Sequence, residues 1–545
     1  MNKLFINNKD TLVDDSIEGA IYCNKFNNLT RLEIDPKIRV VCRNDWNKDK
    51  VALVCGGGSG HEPAHVGFIG RGMLTAAVCG DVFASPSVDA VLNAIVNVTG
   101  EKGCLVIVKN YTGDRLNFGL ACEKAKKMGY KVEMVIVDDD ISIEDNPQPR
   151  GIAGTVFVHK VAGHAAEQGK TLEDVKSAAL SAIQKVSSIG VAITSCTLPG
   201  DSSQNRIAPG EAELGLGIHG EPGVRNIDSS SCKYMVDTMV EQLYRTLSRN
   251  TSKVAVMINN LGGVSPIEMG LITKNVLESK LGERTALILG PSTFMTALDM
   301  KGFSISCLEL DMDLTHSLLS TVEADAWIEP VQKTTLDKRT ISKVPSTLSV
   351  EPSENAKIEN IVRIAATTLV EAENELNALD SLVGDGDTGT TFAAGAKKIL
   401  AELEGNKLPL DDTGALFSVI GEELSTVMGG SSGVLLSIMF TAAGNHYNNS
   451  KNLVESLQVG LKQMMAYGGA SLGDCTMIDA IHPALEAWKN AGLEEAIIAV
   501  QKGADSTASM TQAKAGRSSY LNSETLKGVK DPGSAAVELV FLAFR

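Results

Sequence analysis

The chain is short of positive charge. Its 66 Asp and Glu residues outnumber its 50 Lys and Arg residues, so the formal net charge at pH 7 is −16. This balance argues against binding to nucleic acid or to an anionic membrane as the main role, because both require a basic surface. An anionic substrate remains open, since local basic groups can override the field of the whole molecule.

Membrane and export segments are also lacking. No apolar run reaches the length that spans a bilayer, and the N-terminal MNKLFINNKDTLVDDS has early acidic residues and no hydrophobic signal core. The ten cysteines are scattered and include no CxxC pair. We therefore expect a cytoplasmic protein with reduced thiols and with neither nucleic acid nor a membrane as its partner.

The first part of the chain, residues 1–330, alternates apolar runs with Gly- or Asp-rich loops and helical stretches. Runs such as Val51–Cys55 and Cys104–Val108 are continuous rather than alternating. This pattern is typical of α/β layers with buried sheets. Its spacing predicts two α/β subdomains, about 1–190 and 191–330.

The remainder of the chain has a different character. Residues 331–355 are polar and rich in Ser, Thr and Lys, and they contain two prolines, which predicts a linker. In residues 356–545 apolar residues recur at intervals of three and four, and Gly- or Asp-rich corners separate the segments. We expect an all-α antiparallel bundle there.

Two glycine- and charge-containing motifs follow apolar runs in the first part. GGGSGHEP (Gly56–Pro63) matches neither GxGxxG nor GxxxxGK[ST], so it indicates no Rossmann or Walker site. Its glycines would let backbone N–H groups approach a ligand, and the loop is expected to open toward a helix N-terminus. A tight turn remains an alternative, although a turn does not require the imidazole of His61.

KNYTGDRLNFG follows the next run and supplies Lys109 and Asp114. Ligands of α/β sheets bind outside the carboxyl ends of the strands, so both residues could reach the crevice of His61. Solvated loop charges are the alternative. The Gly-rich GLGIHGEPG presents His219, which could act as base, metal ligand or nucleophile. Metal ligation has little support, because no second His or Cys lies at ligand spacing.

An aspartate cluster marks the helical part. LDSLVGDGDTGTTF places Asp380, Asp385 and Asp387 close together, where they repel one another unless a cation neutralises them. Their oxygen ligands suit Mg²⁺, which typically bridges nucleotide phosphates. The alternative is a helix-capping loop with Asp387 and Thr388 as N-cap candidates.

Four glycine-containing corners accompany this cluster. They are MGGSSGV at Met428–Val434, YGGASLGDCTMID at Tyr467–Asp479, AGRSSYL at Ala515–Leu521 and DPGS at Asp531–Ser534. Each corner alone is a weak signal, whereas together with the aspartates they predict a nucleotide site at one end of the bundle.

The motifs GGGSGHEPAHVGFIG, VKNYTGDRLNFG, GIHGEPG and VGDGDTG, in this order, resemble the single-chain dihydroxyacetone kinase family nearly verbatim. The resemblance covers essentially the whole chain. It implies a ketone-binding half made of two α/β subdomains, followed by an eight-helix barrel that binds ATP and Mg²⁺. It also implies ATP-dependent phosphorylation of dihydroxyacetone to dihydroxyacetone phosphate, with glyceraldehyde as a further triose substrate.

The resemblance assigns a role to each matching position. His219 is similar to the histidine that holds the ketone as a covalent hemiaminal, and His61 and Asp114 are implied as catalytic groups beside it. The implied substrate-binding residues are Gly58, Ser59, Gly60, His61, Lys109 and Asp114. The implied metal ligands are Asp380, Asp385 and Asp387. The implied nucleotide contacts are Thr388, Gly389, Thr390, Thr391, Ser432, Gly433, Gly469, Thr476, Met477, Arg517, Asp531, Pro532 and Gly533.

One position departs from the family pattern. Cys475 stands where the family usually has an arginine, in GDCTM instead of GDRTM, which puts one contact near the nucleotide in doubt. The family also favours a homodimer in which the half-sites of opposite subunits meet. Competing interpretations are a phosphocarrier-dependent relative with bound ADP, a fatty-acid kinase, and a ketone-binding sensor without turnover. No motif decides whether the chain also cleaves FAD to a cyclic flavin phosphate.

Overall fold

The computed structural model describes residues 5–33, 38–200, 206–248, 253–342, 350–510, 512–513 and 528–545. The chain divides between Lys338 and Arg339 into two compact units, which we call the first unit and the helical unit. Within the described ranges, no helix combines the length and hydropathy needed to cross a bilayer. All ten cysteines are free thiols.

The first sheet has six strands in the order β1-β2-β4-β3-β5-β6. Its strands are β1 (Leu29–Arg31), β2 (Val40–Arg43), β3 (Ala52–Ser59), β4 (Ala76–Val82), β5 (Cys104–Lys109) and β6 (Val132–Val137). Strand β3 lies parallel to both β4 and β5, and β5 lies parallel to β6. The central strands are apolar along their length because side chains on both faces are buried.

The second sheet has seven strands in the order β13-β11-β10-β12-β7-β8-β9. Its strands are β7 (Val186–Ala192), β8 (Glu211–Leu214), β9 (Arg225–Asp228), β10 (Val254–Asn260), β11 (Thr285–Ser292), β12 (Gly302–Glu309) and β13 (Val331–Gln332). Only β10 and β11 pair in parallel. Strand β7 spans the boundary predicted near residues 190–191 and begins a few residues before it, and β13 lies in the predicted linker.

Helices cover both sheets and enclose three apolar clusters in the first unit. They are α1 (Leu12–Tyr22), α2 (Val88–Val98), α3 (Thr112–Lys127), α4 (Thr155–Glu167), α5 (Leu172–Lys185), α6 (Cys232–Thr246), α7 (Pro266–Glu278), α8 (Lys280–Arg284) and α9 (Met312–Leu319), with a 3₁₀ turn at Val66–Phe68. The predicted α/β fold class of this half is confirmed.

The helical unit is an all-α ring of neighbouring helices. Its described helices are α10 (Ala356–Glu371), α11 (Glu373–Val383), α12 (Thr388–Glu404), α13 (Thr413–Val427), α14 (Gly430–Ser450), α15 (Leu453–Gly468), α16 (Ile478–Ala491), α17 (Leu493–Thr507) and α18 (Pro532–Leu542). Only Ala372 separates α10 from α11, so if the two are counted together the described residues of the helical unit contain eight helical segments. Contacts run from α12 through α18 and return to α10, which closes the ring around a buried apolar core. The predicted helical fold class is confirmed.

Candidate active site

Four side chains singled out in the sequence come together in the first unit. His61 follows β3, Lys109 is the last residue of β5, and Asp114 lies in the first turn of α3. Since β3 and β5 are parallel neighbours, their carboxyl ends lie at the same edge of the sheet. His219 reaches this edge from the loop between β8 and β9. We call the space around His61, Lys109, Asp114 and His219 the histidine crevice.

The glycine run differs from its predicted form. Strand β3 continues through the glycines to Ser59, and the segment beyond leads to a 3₁₀ turn instead of an α-helix N-terminus. A Cβ on Gly56 would overlap the carbonyl oxygen of Val78 on β4, so the backbones of the two strands are too close for a side chain. The glycines therefore serve strand packing as well as access to the crevice.

Some polar groups of the predicted substrate loop form hydrogen bonds within the protein. The Ser59 hydroxyl donates to the carbonyl oxygen of Gly80 at 2.8 Å, and the Gly60 N–H donates to Glu62 Oε2 at 2.9 Å. Gly58 packs against Phe83 and Ala84, where a Cβ would be 2.7 Å from the Ala84 nitrogen. These contacts set the shape of the loop.

Three rings surround His219. Its ring centroid lies 4.8 Å from that of His61, 4.5 Å from that of Tyr111 and 5.3 Å from that of Phe83, each edge to face. The side chain of His219 is 19% exposed to solvent, so a ligand in the crevice can reach it. Tyr111 occurs inside the KNYTGD motif, whereas nothing in the local sequence of Phe83 indicates this position.

Glu221 orients His219, a role that sequence reasoning missed. Its Oε1 lies 3.1 Å from Nδ1 of His219, and its Oε2 accepts the His219 backbone N–H at 3.0 Å. Burial acts to raise the pKa of Glu221, but the hydrogen bonds and charge of His219 outweigh it and lower the pKa to about 2. Because an ionised carboxylate only accepts, Nδ1 carries a hydrogen, and in the neutral form of the ring Nε2 therefore holds the lone pair.

His61 is a buried base with one unsatisfied nitrogen. Its Nδ1 donates to the carbonyl oxygen of Thr296 at 2.8 Å, which leaves the lone pair on Nε2. Among the described residues, Nε2 has no hydrogen-bond partner although it is buried. Burial, followed by the neighbouring His219 and Lys109, holds the pKa of His61 well below its ordinary value. The ring is therefore neutral at neutral pH.

Lys109 and Asp114 face the same side of Gly57. A Cβ placed on Gly57 would lie 2.6 Å from Lys109 Nζ and 3.4 Å from Asp114 Oδ2. Both side chains are buried, and Lys109 Nζ donates to the carbonyl oxygen of Gly56 at 3.0 Å. A cation and a carboxylate thus share the floor of the crevice, where they can contact the oxygen atoms of a small polar ligand.

The three predicted metal ligands converge in the helical unit. Asp380, Asp385 and Asp387 each offer a carboxylate oxygen, and these oxygens lie within 4.8 Å of one another. Asp380 Oδ2 also accepts the backbone N–H groups of Asp387 at 2.9 Å and Thr388 at 3.1 Å. Asp380 therefore caps α12, whereas Asp387 occupies the N-cap position without a side-chain cap bond. The carboxylate oxygens fit a hard cation such as Mg²⁺.

A cavity of about 760 Å³ adjoins these aspartates. It is lined by all three aspartates and, of the predicted nucleotide contacts, by Thr388, Thr391, Ser432, Thr476, Met477, Asp531, Pro532 and Gly533. Gly429, from the predicted corner Met428–Val434, also lines it, and so do Leu435 and Ile438, which were not predicted. The lining combines an apolar surface with hydroxyl groups and the N-termini of α12, α14, α16 and α18, a combination suited to a base and its phosphates.

Four predicted contacts do not line this cavity. Gly389 packs against α11, where a Cβ would be 2.8 Å from Asn377 Oδ1, and the Thr390 hydroxyl accepts from Asn377 Nδ2 at 2.9 Å. Gly433 packs against Met428, and Gly469 is the left-handed C-cap of α15. Arg517 lies outside the described residues.

Cys475 and Asp531 contribute a thiol and a carboxyl group to the cavity wall. Cys475 lines it with a buried thiol that contacts the Thr507 carbonyl oxygen at 3.8 Å, and burial raises its pKa to about 11. It supplies no positive charge. Asp531 accepts the Ser534 N–H at 2.7 Å, and burial, with some contribution from the charges of Asp479 and Asp380, raises its pKa to about 7.

Comparisons with known proteins agree with this division. Residues 23–326 match the Dak1 domain, and residues 382–545 match the DAK2 domain. The chain is 53% identical to the dihydroxyacetone kinase of Citrobacter freundii, over 100% of this chain and 99% of that protein. It is 37% identical to the triokinase/FMN cyclase of Rattus norvegicus, over 99% and 98% of the two chains.

A solved structure gives the same result in three dimensions. The crystal structure of the C. freundii dihydroxyacetone kinase in complex with AMP-PNP and Mg²⁺ matches with a TM-score of 0.76 and 51% identity, over 100% of this chain and 99% of that one. The fold and the comparisons define a kinase built from two compact units. The chain belongs to the dihydroxyacetone kinase family, and the resemblance predicted from its motifs is confirmed.

Proposed function

We propose that this kinase transfers phosphate from ATP to dihydroxyacetone, and also to glyceraldehyde, while His219 holds the substrate as a covalent hemiaminal. The observation that carries the proposal is the pairing of His219, whose Nδ1 faces Glu221, with the neutral imidazole of His61 at 4.8 Å between ring centroids. The name of the C. freundii relative supports the substrate class.

Capture begins with Nε2 of His219, which adds to the carbonyl carbon of the substrate. The carbonyl oxygen takes a proton from solvent while Nδ1 releases one to solvent by way of Glu221, so no net proton is gained and the adduct is a neutral hydroxyl compound. Glycerol has no carbonyl group and is excluded by chemistry, although it differs little in size. The bond also fixes the terminal hydroxyl in one orientation.

Proton removal from that hydroxyl falls to Asp114, with His61 as its partner or alternative. Asp114 lies beside the Lys109 ammonium at Gly57, and His61 presents an unsatisfied Nε2. Both positions allow a hydrogen bond to a hydroxyl of a three-carbon ligand. Lys109 would hold a second substrate oxygen.

The helical unit supplies the nucleotide. The aspartate cluster would hold Mg²⁺, and the adjoining cavity would hold ATP, as the complex of the C. freundii relative with AMP-PNP and Mg²⁺ supports. Bound Mg²⁺ offsets negative charge on the transferring phosphate. Of the chain's own groups, Asp380 also fixes the start of α12, and Thr388 and Thr391 line the cavity beside the aspartates, where they would contact the phosphates.

Two substitutions test the two halves separately, in assays with purified chain, ATP and Mg²⁺ alone. His219→Ala should abolish the adduct seen by intact mass and lower kcat/KM for dihydroxyacetone by about 100-fold or more. Asp385→Ala should leave the adduct intact and remove magnesium-dependent turnover. His316→Ala, at an exposed position on α9, and Asp411→Ala are the matched controls and should behave as wild type.

Three results would contradict the proposal. An H219A variant that still excluded glycerol completely would show that capture does not select the substrate. Full turnover by D385A would remove the metal assignment. A wild-type chain that turned over only with a phosphocarrier, and not with ATP, would place it with the phosphocarrier-dependent relatives.

A further inference from the structure

A buried chain of three nitrogen-bearing side chains lies behind the histidine crevice. Lys109 Nζ is 2.8 Å from His65 Nε2, and His65 Nδ1 is 3.1 Å from His159 Nε2. Lys109 is 1% exposed, His65 5% and His159 0%. The mechanism above uses neither His65 nor His159, although two buried imidazoles in contact are costly unless their hydrogen bonds are satisfied.

The hydrogen-bond pattern assigns one tautomer to each ring. A lysine ammonium only donates, so His65 Nε2 accepts and His65 Nδ1 carries the hydrogen. This hydrogen is donated to His159 Nε2, which places the remaining hydrogen of His159 on Nδ1. Within the described part of the chain that Nδ1 is buried without a partner. Burial and the neighbouring Lys109 lower the pKa of His65 well below its ordinary value and that of His159 to about 3, so both rings are neutral.

A transition-metal site is the competing interpretation of this cluster. Cys55 lies close enough that one ligand atom each from Cys55, His65 and His159 are all within 4.8 Å of one another. However, Nδ1 of His65 carries a hydrogen as long as Lys109 occupies its Nε2, so it has no lone pair for a metal. Burial raises the pKa of the Cys55 thiol to about 12, which disfavours the thiolate that a metal requires.

The geometry around Lys109 points instead to orientation of its ammonium group. Of its three N–H bonds, one is directed to the Gly56 carbonyl oxygen at 3.0 Å and one to His65 Nε2. In a tetrahedral group, two fixed bonds determine the direction of the third. A ligand oxygen would meet this third N–H bond in the space over Gly57, which Lys109 shares with Asp114.

We propose that His65 and His159 are positioning residues that hold Lys109 so that its third N–H is presented to a hydroxyl oxygen of the bound ketone substrate. This inference rests on the proposed ketone-binding function of the crevice. His65 acts on Lys109 directly, and His159 acts through His65 by accepting its Nδ1 hydrogen.

Steady-state kinetics of paired variants test the proposal. Leucine removes the acceptor, whereas glutamine keeps an acceptor oxygen near the position of Nε2. His65→Leu should raise KM for dihydroxyacetone about tenfold with a smaller change in kcat and an unchanged KM for ATP. His65→Gln should recover most of the affinity for dihydroxyacetone that His65→Leu loses. In the same way, His159→Gln should have a lower KM for dihydroxyacetone than His159→Leu.

A double-mutant cycle separates orientation of Lys109 from general destabilisation. In a Lys109→Met background, His65→Leu should cause no further rise in KM for the ketone, because the group that it positions is gone. Additive effects of the two substitutions would overturn the proposal. Glutamine variants as impaired as the leucine variants, or a parallel rise in KM for ATP, would do so as well.

A spectroscopic test uses the wild-type protein, so it requires neither turnover nor a variant that folds. The chain has eight histidines, and ¹⁵N shifts of labelled imidazoles distinguish the two neutral tautomers. Wild-type protein at pH 7 should show His65 and His159 as Nδ1–H tautomers. An Nε2–H tautomer or an imidazolium at either position would refute the hydrogen-bond chain. A wild-type chain that neither bound nor phosphorylated the ketone would instead refute the proposed function and leave this result unaffected.

Discussion

At the scale of single residues, the reactivity of His219 depends on a neighbour two positions along the chain. Glu221 holds both the ring nitrogen Nδ1 and the backbone N–H of His219. We predict that Glu221→Gln lowers kcat/KM for dihydroxyacetone about tenfold, because the amide retains one acceptor and loses the charge that receives the Nδ1 proton. Coupled assays at pH 7 measure this change.

Glu211 provides the control for that substitution. It lies on β8 of the same hairpin and accepts a hydrogen bond from Asn226 at 2.7 Å, away from His219. Glu211→Gln should keep wild-type kinetics. If E221Q were equally active, the orientation of His219 would not depend on the carboxylate.

At the scale of secondary-structure elements, the approach of β3 to β4 shapes the crevice. A methyl group on Gly56 would overlap the Val78 carbonyl oxygen and would lie 3.1 Å from the ring of Phe118. We predict that Gly56→Ala lowers the free energy of unfolding by about 1–3 kcal/mol through overpacking and also weakens ketone binding. Thermal unfolding and KM measurements report the two effects.

Gly119 is the matched position on α3, because a Cβ added there meets no atom of the described structure within 4 Å beyond its chain neighbours and the nearby backbone of its own helix. Gly119→Ala should be neutral or slightly stabilising, as expected for alanine in a helix. Equal destabilisation by the two substitutions would show that strand proximity is not the cause.

At the scale of the whole molecule, buried neutral histidines make stability depend on pH. The pKa values of His61, His65 and His159 are all lowered in the folded protein. Below pH 6.5 the unfolded chain binds protons that the folded chain does not, so the free energy of unfolding falls as the pH falls. Each such imidazole contributes about 1.4 kcal/mol per pH unit between its unfolded and folded pKa values.

His159→Gln isolates one of these contributions. Between pH 6.5 and 5, its unfolding free energy should fall less steeply than that of wild type, by about 1.4 kcal/mol per pH unit. Denaturant unfolding at several pH values measures both slopes. Identical slopes would mean that His159 binds a proton in the folded state.

Subunit pairing is the second prediction at this scale. We propose a homodimer in which the ketone site of one subunit receives phosphate from the helical unit of the other. Co-expressed H219A and D385A chains should then regain about a quarter of wild-type activity, because half of the dimers are mixed and one of their two sites is complete. Activity no higher than that of the separate variants would show that each subunit serves itself or that the chain is monomeric.

The sequence by itself predicted the architecture and most of the candidate site residues, but not Glu221, His65 or His159. Continuous apolar runs such as Val51–Cys55 and Cys104–Val108 indicated buried strands, and the helical period of residues 356–545 indicated the ring of helices. These patterns are local, because burial and backbone hydrogen bonding act along each element. The glycine, histidine and aspartate motifs were likewise recognisable because each is a short continuous segment of the sequence.

Only the tertiary structure decided which atoms are available for chemistry. The tautomer of His61 depends on the carbonyl oxygen of Thr296, 235 residues away in the sequence, and Lys109 is held by His65 and, through it, by His159. The role of Gly56 depends on the distance between β3 and β4. Such contacts join residues that are far apart along the chain, and no local pattern encodes the direction of a lone pair or the closeness of two backbones.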